Sequence, residues 1–461
     1  MENYPVRVSD LYNSSLVWLA NGDTERALRL LKLIESKGNN FTPDTSFHEI
    51  KNLAGCIYIK YNRPEVALPY LKQACVEPNA QYFSNLSFCH SMLHNPEKAV
   101  SEALHGLSID PKSVDCMAKM THAMHLMGEH ERALPHQFKM VELEPTPDNW
   151  SGVSVTQLLL SKAFDYEPKG EIKPLLPILK QFHARVSNFK DHAPNAHCGD
   201  PWMFNGAIVN VILEQGMGDC VMMLPYIKNL AKVAKKVNVL SMRDHDFIID
   251  LIRELGCLSE DNVCLQKSEN GLAMWQAKSA PTLGVINVWM MDLLSLGTPR
   301  EVVGLNLRPK MAKVVLESMG RVGICWRGNP KHPNDWWRSM RFDDIKPFIK
   351  EHGKKLFNLQ TNLTEGERGY LKECGVAIDH DLMDNRVLIG SLLGLDSVIT
   401  VDTFMSHLAG ALAVKCDLLL SPNIDWRWGL GSEKTVWYGQ HRLLKQKYCG
   451  EWKELLDKVN I

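Results

Sequence analysis

Over its first 150 positions the chain repeats one pattern: a glutamate, one variable residue, an alanine and an aliphatic side chain. It appears as Glu25-Arg26-Ala27-Leu28, Glu65-Val66-Ala67-Leu68, Glu97-Lys98-Ala99-Val100 and Glu131-Arg132-Ala133-Leu134. The starts are 40, 32 and 34 residues apart, and the longer first interval leaves room for a loop near residues 39–44. An acidic residue and a proline follow each of the last three, at Glu77-Pro78, Asp110-Pro111 and Glu144-Pro145. The alanine lets two helices approach closely, and the proline cannot continue a helix. The pattern predicts helix pairs over 1–150. Helical periodicity continues to about residue 187, and the polar stretch 189–202 reads as a linker. From Gly206 the texture changes. Short Val- and Ile-rich runs at 208–213, 237–240, 285–288, 322–325, 355–359, 398–401 and 418–420 alternate with amphipathic stretches. That alternation predicts βαβ units and parallel sheets covered by helices. Pro299 and Pro309 lie in the one long irregular interval, which places a boundary near residue 305. The expected domains are 1–150, a helical segment and linker at 151–204, and two α/β domains at 205–304 and 305–461.

A period near 34 residues is that of tetratricopeptide repeats. Gly55 and Tyr58 match the small and aromatic positions of that pattern, whereas Ser87 and His90 depart from it. Such arrays present a concave surface for peptides or partner proteins, and they also serve self-association or support.

Composition narrows the function classes. Of 461 residues, 45% are hydrophobic and 23% charged, and 52 Lys+Arg against 53 Asp+Glu leave a formal charge of −1. That balance argues against a sequence-blind nucleic-acid footprint over the whole surface. No apolar run reaches the ~18–20 residues of a membrane span, since Lys415 and Asp417 interrupt the longest candidate. The first residues lack the charged-then-apolar pattern of a secretory signal. The 12 cysteines form no C-x-x-C pair, so neither a zinc site nor a thioredoxin-type motif is signalled. They read as buried thiols in a reducing, cytoplasmic setting, where Asn85-Leu86-Ser87 and Asn362-Leu363-Thr364 are not glycosylation sites.

Four loops carry candidate chemistry, each after an expected strand, where open α/β sheets bind ligands. Glu214-Gln215-Gly216-Met217-Gly218-Asp219 is Gly-rich and opens a helix. Gly216 and Gly218 permit close backbone approach to a ligand, and Asp219 is either a functional carboxylate or a helix cap. The second loop runs Trp326-Arg327-Gly328-Asn329-Pro330-Lys331-His332, with Arg338, Ser339 and Arg341 close behind. It is basic enough to suit phosphate, or else is a solvated charged loop. In the third, Thr403, Ser406, His407 and Gly410 share one helical stripe after Asp402, either as diphosphate donors at a helix N-terminus or as a cap and interior residues. In the fourth, Asp425-Trp426-Arg427-Trp428 either stacks on a base or sugar ring or forms a buried aromatic staple with an ion pair.

Together these loops, with Asp384-Asn385 ahead of the apolar run at 388–395, resemble a bacterial group that fuses tetratricopeptide repeats to a glycosyltransferase. That enzyme part is related to the ADP-heptose–lipopolysaccharide heptosyltransferases of glycosyltransferase family 9. The resemblance covers roughly 206–458 plus the repeats. It implies a GT-B fold of two Rossmann-like domains that holds a nucleotide-diphosphate sugar in the cleft without a metal or other cofactor. By resemblance, Arg338, Ser339, Thr403, His407 and Gly410 hold the diphosphate, with Arg327, Lys331 and Ser406 nearby. Asp402 anchors neighbouring donors or the ribose, while Gln360, Trp326 and Asn329 line the donor pocket and Trp426 and Arg427 border it. Asp219 matches the general base of an inverting displacement. The acceptor is then a glycan, a protein or a modified nucleobase in DNA. The alternative is a non-catalytic repeat scaffold with a degenerate transferase domain. Cys220, Met222, Met223 and Trp336-Trp337 depart from the group's pattern, which leaves a sugar other than heptose open.

Overall fold

The computed structural model describes residues 7–36, 46–165, 201–241, 245–267, 285–296, 318–330, 332, 335–378 and 381–461. It divides into two compact units, Met1–Pro145 and Thr146–Ile461.

In the first unit the described residues form α1 Val8–Ala20, α2 Thr24–Ser36, α3 Phe47–Lys60, α4 Pro64–Ala74, α5 Ala80–Met92, α6 Pro96–Ile109, α7 Val114–Leu126 and α8 His130–Leu143. They pack as successive pairs. The recurring alanines Ala27, Ala67, Ala99 and Ala133 are each 0% exposed, so they are the close-contact points that the period implied. Two pairs repeat one further bond: Ser15 Oγ donates to the Ala27 carbonyl at 3.0 Å, and Ser87 Oγ to that of Ala99 at 2.7 Å. Ser87 therefore fills the small-residue position in its own way. The turn inside each pair passes through one left-handed residue, at Gly22, Asn62, His94 and Gly128. Pro64 and Pro96 start α4 and α6, where a missing N–H costs nothing. The unit is a helical repeat array of tetratricopeptide type.

The second unit starts with α9 Pro147–Leu160, which the sequence pattern had grouped partly with the repeats. A parallel sheet follows, with β1 Ile208–Ile212, β2 Lys236–Leu240, β3 Val263–Gln266 and β4 Val285–Trp289 in the order β3-β2-β1-β4. Its helices are α10 Met217–Ala231 and α11 Asp246–Leu255. A second parallel sheet contains β5 Val322–Cys325, β6 Leu356–Asn358, β7 Ala377–Ile378, β8 Ser397–Val401, β9 Cys416–Leu420 and β10 His441–Lys445, in the order β10-β9-β8-β5-β6-β7. With it come α12 Asp335–Arg338, α13 Phe342–His352, α14 Glu365–Glu373, α15 Asn385–Gly394, α16 Phe404–Ala411 and α17 Trp452–Leu456. Renumbered from its own first strand this order is 3-2-1-4-5-6, that of doubly wound nucleotide-binding sheets. All seven expected strands are present. The additional ones are β3, β7 and β10, which are half-buried, only two residues long, and carry His441, Arg442 and Lys445, respectively.

Strand alternation sorts the side chains of the second sheet. Val322, Ile324, Ile399, Val401 and Leu419 face one core with Ile345, Phe348 and Trp452. Cys325, Val398, Leu418 and Leu420 face another. That second core is continuous with Val209, Val211, Leu224 and Ile227 of the first sheet and α10. One hydrophobic interior thus serves both sheets, with α10 packed on α16 at its centre. The expected boundary at residue 305 and most of the expected linker lie outside the described residues. All described cysteines are free thiols. No described helix is long and apolar enough to cross a membrane.

Candidate active site

Each sheet reverses its strand order once, between β1 and β4 and between β5 and β8. The crevice beyond such a reversal is where open α/β sheets take ligands. In the first sheet the two sides are joined by Glu214, whose buried carboxylate accepts from the Met291 N–H at 3.3 Å. In the second, Thr403 Oγ1 caps α16 by accepting from Met405 N and lies 3.1 Å from Thr400 Oγ1.

The packing of α10 on α16 brings the two reversals together. Gly218 lies so close to His407 that a Cβ there would sit 2.5 Å from the imidazole Cδ2. One residue on, Asp219 is held at both oxygens. Oδ2 accepts from the Gly216 N–H at 2.8 Å, and Oδ1 lies 2.6 Å from Arg427 Nη2. The helix cap and a tertiary ion pair are therefore both present. Gly216 is extended, and the left-handed position in this loop belongs to Gln215 (φ 63°), whose carbonyl meets His245 Nε2 at 2.8 Å.

Arg427 is the hub. Its Nη1 reaches both oxygens of Asp425, at 2.8 and 2.9 Å, and its guanidinium lies 4.6 Å from the Trp426 ring centroid. The Trp437 indole donates to its carbonyl at 2.8 Å. Burial works against its charge, and Asp219, Asp425 and Asp402 outweigh burial. Trp426 is 1% exposed, packed edge-on against Phe164. Trp426 and Arg427 thus form the buried staple with an ion pair, and neither presents a free face to a base. Asp402 sits beside this hub. Burial and the charge of Asp425 raise its pKa, Arg338 and Arg427 oppose them, and the Trp428 indole faces it short of a well-formed hydrogen bond.

The stripe expected to hold a diphosphate is turned inward for the same reason. Ser406 is 0% exposed and donates to the Thr403 carbonyl at 2.8 Å. His407 Nδ1 pairs with the Tyr438 hydroxyl at 3.0 Å, and its ring stacks on Trp428. Burial and the nearby Arg427 push its pKa down to about 3, so the ring is neutral at pH 7. Gly410 is overlaid by the Tyr438 ring, 2.3 Å from where a Cβ would be. Thr403 is also buried with its hydroxyl used at the cap, and Asp402 before it is half-buried.

The loop after β5 also divides. Trp326 is 0% exposed and continues the phase of Val322 and Ile324 into the far core. Arg327 forms a two-pronged pair with the buried Glu367 and also donates to the Asn362 carbonyl at 2.8 Å, so its fork is occupied away from the crevice. Burial opposes the charge of Glu367, but Arg327 and Thr364 outweigh it and hold the carboxyl below its ordinary range. Gln360 Oε1 accepts from the backbone of Trp326 and Arg327 at 3.2 and 3.0 Å, which makes it a staple between β5 and β6. Asn329 is exposed, and Lys331 lies outside the described residues.

Arg338 differs from the other two arginines. Gly328 is 2.7 Å, measured from an ideal Cβ, from both Arg338 Nη2 and Asp335 Oδ1, so only glycine leaves room for this guanidinium. Its Nε lies 3.4 Å from Asp335, and neither terminal amino group donates a hydrogen bond to any described residue. Ser339 Oγ, accepting from Gly328 N at 2.9 Å and donating to Asp335 at 2.8 Å, fixes the loop around it. Trp336 and Trp337 pack edge to face behind it. His332 interacts electrostatically with Arg338, Asp335, Asp425 and Asp219, which brings this loop to the N-terminus of α10.

Asp425, Asp335 and Tyr438 were not among the expected site residues. Asp425 and Asp335 had a local signal in their spacing to Arg427 and Arg338, whereas Tyr438 had none. The cluster contains four carboxylates and two arginines, a more acidic balance than the loop composition suggested. Among the described residues, no group of three His, Cys, Asp or Glu side chains is arranged to hold a metal ion.

No protein-family model matches the chain, and no curated protein matches it in sequence. Among solved structures it is similar to the MamA protein, at 17% identity and a TM-score of 0.30 over 40% of this chain and 94% of that one. It is similar to TTC0263, a tetratricopeptide-repeat protein of Thermus thermophilus, at 16% and 0.33 over 40% and 94%. PilF of Pseudomonas aeruginosa gives 14% and 0.33 over 39% and 77%.

Proposed function

We propose that the second unit is a glycosyltransferase of GT-B type that takes a nucleotide-diphosphate sugar at the strand-order reversal between β5 and β8. The observation that carries this reading is Arg338. Among the described residues its terminal amino groups donate no hydrogen bond, it sits at the reversal, and it lies beside Asp402 at the start of α16. Guanidinium forks and helix N-termini are both suited to phosphate oxygens. Asp219 of the first sheet meets the same cluster through Arg427. In the proposed step the acceptor hydroxyl oxygen bonds to C1 of the sugar. The C1–O bond to the diphosphate breaks, its electron pair leaves with the nucleoside diphosphate, and Asp219 takes the hydroxyl proton. Arg338 stabilises the departing charge. The helical repeats would present a protein or glycan acceptor, with a DNA nucleobase as a further acceptor class.

A second reading, a non-catalytic repeat scaffold, is favoured by the engagement of both Asp219 oxygens in the resting structure. A thermal-shift panel with ADP, GDP, UDP, CMP and their sugar conjugates separates the two. A ligand at ~100 times its Kd adds ~2.7 kcal/mol. We expect one nucleotide class to raise the melting temperature and Arg338→Ala to abolish that rise. A flat panel would leave the scaffold.

A further inference from the structure

We propose that Arg427 is a positioning residue, which reaches from the second sheet's loops to the first sheet's helix and fixes the Asp219 carboxylate for proton transfer. The inference rests on the glycosyltransferase reading and assigns Arg427 a role different from ligand contact.

Three observations carry it. Asp219 and Arg427 belong to different sheets, and the 2.6 Å contact between Nη2 and Oδ1 spans the seam where α10 and α16 meet. The guanidinium is held at both terminal amino groups, while its buried Nε has no hydrogen-bond partner among the described residues. Asp425 takes Nη1 with both oxygens, Trp426 lies under the plane, and Trp437 holds the main-chain carbonyl. Of those supports Trp426 is buried against Phe164, and the half-buried Trp437 lies parallel to Phe164 and near Tyr226 of α10. An arginine so engaged has no spare fork for a diphosphate, whereas it determines where Asp219 Oδ1 points. The Gly216 N–H fixes the other oxygen. Each carboxylate oxygen keeps a second lone pair, so the carboxylate is oriented without being blocked. The pair also explains the DWRW segment as a unit: one Trp supports the arginine, the other stacks on His407, and the Asp neutralises it.

The test measures nucleotide binding and donor turnover separately on the full chain. The donor is the nucleotide sugar selected by the thermal-shift panel, and turnover is release of the nucleoside diphosphate on transfer to water. Arg427→Lys keeps the charge but cannot bridge both aspartates. We expect its Kd for the nucleoside diphosphate to stay within about twofold of the parent and kcat to fall about a hundredfold, the scale of a 1 Å misplacement. Asp219→Asn combined with Arg427→Lys should be no slower than Asp219→Asn alone, because both changes disable one unit. Melting curves of every variant show that the comparison is between folded proteins, and Asp425→Asn, which loosens the hold on Nη1 while leaving Arg427 in place, provides a second variant with the same expected pattern of unchanged Kd and lowered kcat if Lys fails to fold. Multiplicative losses in the double variant would overturn the positioning role. So would weakened nucleotide binding at unchanged kcat, which would make Arg427 a ligand contact. Absence of nucleotide binding by the parent is a different result: it removes the transferase reading itself, and the positioning role with it.

Discussion

Gly218→Ala distinguishes a phosphate-cradling glycine from a helix-contact glycine. The added methyl would lie 2.5 Å from His407 Cδ2 and 3.2 Å from Nε2, against the 3.4 Å or more of an ordinary contact. The imidazole cannot swing away, because Tyr438 holds Nδ1 at 3.0 Å and Trp428 is stacked on the ring. Relief therefore needs α10 and α16 to separate by about 1 Å, at the typical overpacking cost of about 3 kcal/mol. Alanine is the better helix former and returns up to about 1 kcal/mol. The net loss of about 2 kcal/mol corresponds to about 3 °C in melting temperature for a unit of this size, at an unfolding entropy of about 2.1 cal/mol/K per residue. Differential scanning calorimetry of the full chain reads it directly. The same separation should stretch the Asp219–Arg427 pair and slow donor turnover. An unchanged melting temperature with nucleotide binding abolished would refute the packing argument and return Gly218 to the phosphate loop.

Two further outcomes follow from buried charge and buried imidazoles. Arg327→Ala should cost about 3 kcal/mol, because it leaves Glu367 buried without its partner, yet leave nucleotide affinity within about twofold; isothermal titration checks this, and a large loss of affinity would place Arg327 in the site. In the repeat unit, burial pushes His122 and His125 down to about 3 and His130 down to about 4, and Nδ1 of His125 and His130 lie 2.8 Å apart, so a second proton between them breaks the contact. These rings are neutral in both states above pH 6.5; below it the unfolded chain takes protons that the folded unit refuses, so stability falls with pH at about 1.4 kcal/mol per unit for each ring. Hydrogen-exchange protection of α7 and α8 should weaken from pH 7.5 to 5.5 after correction for intrinsic rates, and constant protection would contradict neutral burial.

The repeats were legible because each carries its own contact point. Ala27, Ala67, Ala99 and Ala133 mark helix pairs locally, and local pairs repeat with the sequence period. The strands of the α/β unit were legible from Val- and Ile-rich runs, whereas β3, β7 and β10 lacked that texture. Residue type located the loops that meet at the strand-order reversals but did not separate the three arginines. Arg327, Arg338 and Arg427 look alike along the chain. Their fates depend on Glu367, Asp335 and the Asp219–Asp425 pair, each brought by a different loop or helix.

The sequence by itself determined the helical array, the alternating α/β texture and the loops at strand ends, because periodicity, proline and glycine act over a few residues. Trp326 was also legible in principle, since it continues the two-residue phase of Val322 and Ile324 into the core. Only the tertiary structure decided that α10 and α16 share one seam, turning Ser406, His407 and Gly410 inward and closing Arg427 onto Asp219. The physical reason is that an unpaired buried charge or polar group is costly, so donors are claimed by whichever partners packing brings within reach. That choice is made across sheets, at separations along the chain that no local pattern encodes.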